Sequence, residues 1–208
     1  MADQKDSLRA YRSKRDPRRT PEPSGERQRP RRGRRGHPIF VIQKHDASSL
    51  HYDFRLEADG VLKSWAVPKG PSTNPKDKRL AVPTEDHPLE YADFEGVIPE
   101  GEYGAGTVLV WDTGTYRNLT ERDGKEVPVE QAIEEGHLHF ELHGSKLRGP
   151  YALTRIGGPG RQRWLLVKMA GEGADPHRDP VGSEPNSVLS GRGLEEIAAE
   201  AAGQGASR

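Results

Sequence analysis

In KHDASSLHYDFRLE, residues 44–57, polar and apolar side chains alternate over the second half: His51, Asp53 and Arg55 are separated by Tyr52, Phe54 and Leu56. That period of two is the signature of a strand buried on one side, and it puts residues i, i+2 and i+4 on one face, roughly 6 to 7 Å apart per step. Tyr52, Phe54 and Leu56 therefore point into a core, while His51, Asp53 and Arg55 share the other face. A neutral imidazole and a carboxylate two residues apart can close on one divalent ion at roughly 2.0 to 2.2 Å each. His45 ends the preceding apolar run, and the short connection DASS would lay the two strands side by side. Three ligands then converge from one corner, with Arg55 one step further on, too positive to ligate and suited to an anion held by the metal.

Outward from this stretch the pattern stays β. Strands are expected at 39–44, 49–57, 61–67, 79–84, 107–112, 115–118, 137–143, 147–156 and 164–169, with the turn Asp59-Gly60 closing a hairpin. Residues 129–135 alone look helical within this core, and 194–202 could form a short helix that needs a docking surface. Short strands at this spacing predict a mainly β fold, a compact closed or nearly closed barrel of about eight strands or a sandwich, with one or two short helices and flexible termini.

The chain has 208 residues, 32% hydrophobic and 31% charged, with no cysteine. Disulfides and thiolate metal sites are thereby excluded, which leaves His and carboxylate as metal ligands. No apolar run reaches membrane-spanning length, so a soluble, cytoplasmic protein without membrane partners is expected. The formal charge of zero hides an asymmetry: residues 1–36 carry +8 and the remainder −8. RQRPRRGRRG, residues 27–36, offers nothing to bury and reads as a flexible arm that binds a polyanion through phosphate contacts. The expected division is a basic, largely flexible arm at 1–36, a barrel at 37–170 and a flexible tail or linker at 171–208.

Other clusters have plainer explanations. HLHFELH, residues 137–143, puts His137, His139, Glu141 and His143 on one strand face, which a solvated surface explains as well as a metal ladder. EGVIPEGEYGAGTV lacks the Lys-Ser/Thr and the helix of a Walker loop, so Gly101, Gly104 and Gly106 read as turn residues. Trp65, Trp111 and Trp164 lie in apolar strand patterns and are assigned to the core. His87 and Tyr91 in EDHPLEY, and Lys69 and Arg79 around the loop KGPSTNPKDK, are by themselves compatible with structure or with anion binding.

The blocks QKHDASSLHYDFRLE, LKSWAVPKGP and RLAVPTEDHPLEYADFEGVIPEGEYGAGTV together resemble the 3'-phosphoesterase module of bacterial DNA ligase D, which also exists as a stand-alone protein. The resemblance spans about residues 11–169. It implies a β-barrel and a manganese-dependent repair nuclease of non-homologous end joining that acts on 3' ends of DNA or RNA–DNA primer–templates. The family removes a terminal ribonucleoside as a phosphodiesterase and converts a 3'-phosphate to a 3'-hydroxyl as a phosphomonoesterase. By this resemblance His45, His51 and Asp53 hold Mn²⁺, and Arg55, His87 and Tyr91 surround the scissile phosphate. Lys69 and Arg79 match positions near the phosphate, and KRDPRRTPEP looks like the family's N-terminal leader, in which Arg15, Asp16 and Glu22 match residues that support the diesterase step. Implied partners are a Ku-like end-binding protein, a repair polymerase and an ATP-dependent DNA ligase. Two other readings compete: a non-catalytic end-binding module, and a non-haem iron oxygenase, since H-x-D with a distal His is also the facial-triad pattern, with Arg148 after His139 as the candidate to bind a co-substrate carboxylate.

Overall fold

The computed structural model describes residues 7–26, 36–158 and 162–205. The arginine-dense run expected to be a flexible arm falls on 27–35, outside the described residues. Eight antiparallel strands close into a barrel: β1 (Ile39–Asp46), β2 (Leu50–Ala58), β3 (Val61–Val67), β4 (Arg79–His87), β6 (Gly106–Asn118), β9 (His137–Gly144), β10 (Arg148–Ile156) and β11 (Arg163–Lys168). Their order is β1-β2-β3-β4-β11-β10-β9-β6, and β6 returns to pair with β1. The short β5 (Gly96–Ile98) adds to the free edge of β6 outside this ring, and β7 (Glu121–Arg122) with β8 (Lys125–Glu126) forms a small hairpin. At the β2–β3 turn Asp59 and Gly60 both adopt positive φ, 50° and 74°, which is what a two-residue hairpin turn of matching twist requires.

Where the sequence suggests two strands, 107–112 and 115–118, the protein has one. Asp112-Thr113-Gly114 looks like a turn, yet a Cβ on Gly114 would lie 2.1 Å from the His143 carbonyl oxygen. Gly114 is thus needed for close approach of β6 to β9, not for a reversal. The broken alternation has a second cause. Ile42 pairs with Asp112 but Gln43 with Val110, so β6 carries one extra residue, Trp111, as a bulge.

Two cores follow from the alternation. Phe40, Ile42, Tyr52, Phe54, Leu56, Trp65, Trp111, Phe140 and Trp164 fill the barrel. The opposite face of β1 and β2 carries Val41, Gln43, His45, His51, Asp53 and Arg55, because His45 pairs directly with His51 and Gln43 with Asp53. This outer face is covered by a second cluster, in which Leu8 and Tyr11 meet Val41, Tyr91, Phe94 and Ile98. Leu8 and Tyr11 come from the leader, whose helix α1 spans Arg9–Ser13. Tyr91 belongs to a 3-10 turn, Leu89–Asp93. Each large apolar side chain buried here contributes about 1.5 to 3 kcal/mol, so the leader is held as part of the fold.

Helix α2 (Val129–Glu135) ends at Gly136, whose left-handed φ of 87° caps it. After Gly171 the chain runs back over the barrel through α3 (Pro180–Ser183) and α4 (Leu194–Gly205). There the Trp111 indole donates to the Glu184 carbonyl at 2.8 Å, Val188 N donates to Val110 O at 3.0 Å, and Ile197 is 3% exposed. Among the described residues no helix is long and apolar enough to cross a membrane.

Candidate active site

The outer face of β1 and β2 becomes a site because three of its side chains converge. The ligand atoms of His45, His51 and Asp53 all lie within 4.8 Å of one another. Asp53 Oδ2 stands 3.4 Å from His45 Nδ1, 3.6 Å from His51 Nε2 and 3.3 Å from Arg55 Nη2. Each histidine is fixed from behind by a carbonyl: His45 Nε2 lies 2.8 Å from Gly104 O, and His51 Nδ1 lies 3.0 Å from Ser49 O. A carbonyl only accepts, so the outer nitrogens carry the protons and the lone pairs of His45 Nδ1 and His51 Nε2 face Asp53. This is the arrangement that orients metal-binding imidazoles. Two imidazole nitrogens and a carboxylate suit a divalent cation of the Mn, Fe or Zn type, so the residues present fit a metal. Burial alone would raise the Asp53 pKa, but its charged neighbours, the Arg55 guanidinium first, outweigh it and hold the carboxyl well below the usual range. The His51 pKa is raised, chiefly because a protonated ring would donate its Nε2–H to Asp53.

Arg55 is set by a residue the motif reading passed over. Its Nε donates to Gln43 Oε1 at 2.8 Å, and Gln43 Nε2 donates to the carbonyls of Tyr91 and Phe94 at 2.9 and 3.1 Å. Gln43 is fully buried and two residues before His45, so the same alternation that names His45 also places it beside the site. Beyond Arg55 sits His87, with Nδ1 2.8 Å from the Glu85 carbonyl and 3.1 Å from Arg55 Nη1. The carbonyl puts the proton on Nδ1 and leaves the Nε2 lone pair toward Arg15 Nη2 at 3.5 Å. Burial first, then the charges of Arg55 and Arg15, push the His87 pKa well below 6.5, so the ring is neutral.

Arg15 comes from the leader, 72 residues from His87 in sequence. Its Nε donates to Glu22 at 2.9 Å, and its Nη1 donates to Glu85 at 3.1 Å. Glu22 also accepts from the Tyr91 hydroxyl at 2.9 Å and from Thr20 at 2.8 Å. Glu85 and Thr20 carried no signal of their own, since nothing in local spacing says that leader and β4 meet.

These groups line one cavity of about 230 Å³. It gathers His45, His51, Asp53, Arg55, His87, Tyr91 and Arg15, with Glu85, Tyr103 and Gly104. Glu22 stands just behind, on Arg15 and Tyr91. Three expected residues are not brought in. Asp16 turns to Arg18, accepting from its backbone and guanidinium at 3.0 to 3.3 Å on the surface. Lys69 is exposed in the turn that follows β3, closed by Gly70 N to Val67 O at 3.0 Å. Arg79 has the parity of buried Ala81 rather than of Val82 and Thr84, so it lies on the barrel-interior side of β4 and pairs with Asp77 at 3.4 Å. The odd-numbered offset was invisible across the intervening loop.

The other clusters stay apart from this cavity. Glu141 in the β9 ladder is engaged by Arg117 at 2.7 Å, and His139 and Arg148 lie on β9 and β10 rather than beside Asp53. His139 and Arg148, the residues the oxygenase reading calls on, therefore lie away from the site. Among the described residues the His45–His51–Asp53 group is the cluster that could hold a metal ion.

Residues 43–155 match the family described as DNA Ligase D 3'-phosphoesterase domain. The chain belongs to the DNA ligase D 3'-phosphoesterase family. It is 53% identical over 191 residues, 90% of its length, to the "Multifunctional non-homologous end joining protein LigD" of Pseudomonas aeruginosa. It is 48% identical over 164 residues, 79% of its length, to the "Multifunctional non-homologous end joining DNA repair protein LigD" of Mycobacterium tuberculosis. The alignments cover 22% and 20% of those relatives, so this phosphoesterase-family chain spans about a fifth of the length of each.

Proposed function

We propose that the protein is a manganese-dependent 3'-end-healing phosphoesterase, removing terminal ribonucleosides and 3'-phosphates from DNA or RNA–DNA primer ends to give 3'-hydroxyls for repair and ligation. The observation that carries this is the meeting, in one cavity, of a two-histidine-one-carboxylate cluster with two buried guanidinium groups and a neutral imidazole. Such a set suits a phosphate and a divalent cation together.

His45 Nδ1, His51 Nε2 and Asp53 would hold the ion, whose chemistry there is Lewis-acid neutralisation of a non-bridging phosphate oxygen. Arg55, its Nε fixed on Gln43, presents its Nη groups to the remaining oxygens as charge develops. Arg15 supplies the second cation, held in place by Glu22 and Glu85. His87 is kept neutral by its burial and by those two guanidinium groups. A phosphate lying between them offsets their charge, so His87 Nε2 can take up a proton and pass it to the leaving oxygen. Tyr91, a neutral phenol donating to Glu22, positions Glu22 and through it Arg15.

On this reading residues 7–26 belong with the barrel as one functional unit, and Lys69, exposed near the β3 end, is free to meet the phosphate backbone. In the cell the protein would act in the cytoplasm at the nucleoid, beside a Ku-like end-binding protein, a repair polymerase and an ATP-dependent ligase. The test is a primer–template bearing a 3'-phosphate or a 3'-terminal ribonucleoside, incubated with and without Mn²⁺. Conversion to 3'-hydroxyl that needs Mn²⁺ and disappears in His45→Ala is expected; no product from the wild-type protein with any divalent ion, or undiminished product from His45→Ala, would sink the reading.

A further inference from the structure

Of the thirteen aromatic residues, twelve are buried and one, Tyr103, is 47% exposed. That one stands at the rim of the catalytic cavity. An aromatic ring left open beside a site, when every other ring has found a core, points to a partner that arrives with the substrate.

The loop that carries Tyr103 is held firmly. Two successive turns close it, Glu102 N to Pro99 O and Ala105 N to Glu102 O, each at 3.1 Å. The next residue, Gly104, accepts from His45 Nε2 at 2.8 Å, so Tyr103 is one residue from a group bonded to a metal-binding histidine. From the other side the leader reaches over: Arg19 pairs with Glu102 at 2.8 Å, and Lys14 Nζ stands 4.5 Å from the ring centroid and 3.3 Å from the hydroxyl. Leader and loop thus bridge the cavity rim. A strand that continued past the reacting phosphate would meet this bridge, whereas a single terminal nucleoside ends there. Its base has a π face for the ring, and nearby Lys14 and Arg15 suit the phosphate that precedes it.

We propose that Tyr103 is the stacking platform for the base of the 3'-terminal nucleoside, and that it selects ends carrying a base over ends that lack one. This rests on the phosphoesterase reading above. A structural alternative is that Tyr103 only clamps the leader.

Two measurements separate these. First, a primer–template with a terminal 2-aminopurine ribonucleoside is mixed with metal-free protein in chelator. Quenching is expected with the wild type and Tyr103→Phe and lost with Tyr103→Ala. Undiminished quenching in Tyr103→Ala, or a Tyr103-dependent signal only from a penultimate 2-aminopurine, overturns the proposal. Second, kcat/KM with Mn²⁺ is compared for a primer ending in adenosine and one ending in an abasic ribose. The wild type should favour the base-bearing end by about 5- to 150-fold, the range that base–aromatic stacking commands. The ratio should fall toward one in Tyr103→Ala and return in Tyr103→Phe. Equal losses on both substrates would show a clamp and overturn stacking. If the wild type turns over neither primer, the phosphoesterase reading fails, and the fluorescence arm still decides whether Tyr103 stacks.

Discussion

Gln43 shows how one residue couples packing to chemistry. Its amide ties Arg55 on one side and the carbonyls of Tyr91 and Phe94 on the other, all within the buried outer cluster. Gln43→Leu would remove a donor from each of two buried carbonyls, leaving Tyr91 O only the Phe94 N–H, and would free the Arg55 guanidinium to turn. A stability loss of about 2 to 4 kcal/mol by denaturant unfolding is expected, with kcat/KM on a 3'-phosphate primer down by about 10²-fold. His87 sets a pH signature at the same scale. Its folded pKa is depressed below 6.5, so below that value the unfolded chain takes up a proton that the folded one does not. The sign follows: this contribution to stability is flat above pH 6.5 and falls as the pH drops below it. Asp53, depressed from 3.8, adds its own loss only in a lower window. Unfolding midpoints measured from pH 7.5 to 5 should decline for the wild type and decline less for His87→Gln.

At the scale of elements, β6 is where local reading and assembly diverge. It pairs with β1, β5 and β9 at once, and so closes the ring. Gly114 allows that closure, since any side chain there would run into the His143 carbonyl at 2.1 Å. Gly114→Ala should cost at least about 3 kcal/mol by forcing β6 and β9 apart, seen as a lowered thermal midpoint. A midpoint within a degree of wild type would refute the closure argument. The strands themselves were legible: β2 and β3 follow from alternation and the Asp59-Gly60 turn, and β1 from the apolar run before His45. The Asp123-Gly124 turn has the same positive φ pair, 52° and 73°, and joins β7 to β8.

For the molecule as a whole, the segments flanking the barrel matter as much as the barrel wall. The C-terminal segment supplies acceptors to groups that the barrel buries: Glu184 O takes the Trp111 indole at 2.8 Å, and Lys146 Nζ donates to the same carbonyl at 2.7 Å. Burial holds the Lys146 pKa down at about 8. Truncation after residue 170 would leave Trp111 and Lys146 without these partners and uncover the surface that Ile197 fills. A stability loss of about 3 kcal/mol or more, seen as a lower unfolding midpoint, is expected, and an unchanged midpoint would show that the segment only rests on the barrel. The His45–His51–Asp53 cluster lies on the far side of the β1–β2 wall from the barrel interior, so on the proposed function the truncated protein, at temperatures where it is folded, should bind Mn²⁺ with nearly the wild-type affinity.

The sequence by itself determined the barrel strands other than the continuity of β6, the hairpin at Asp59-Gly60 and the shared face of His51, Asp53 and Arg55. These depend on a two-residue period and on local turn chemistry, which act between neighbours. The block resemblance added His87, Tyr91, Arg15 and Glu22 by matching positions, without saying what holds them. Only the tertiary structure decided that Arg15 sits between Glu22, Glu85 and His87, that Gln43 steers Arg55, that Asp16 and Arg79 face elsewhere, and that Tyr103 stands open at the rim. The reason is that these contacts join segments tens of residues apart. They exist only once the barrel has closed and the leader has buried Leu8 and Tyr11 against its outer wall.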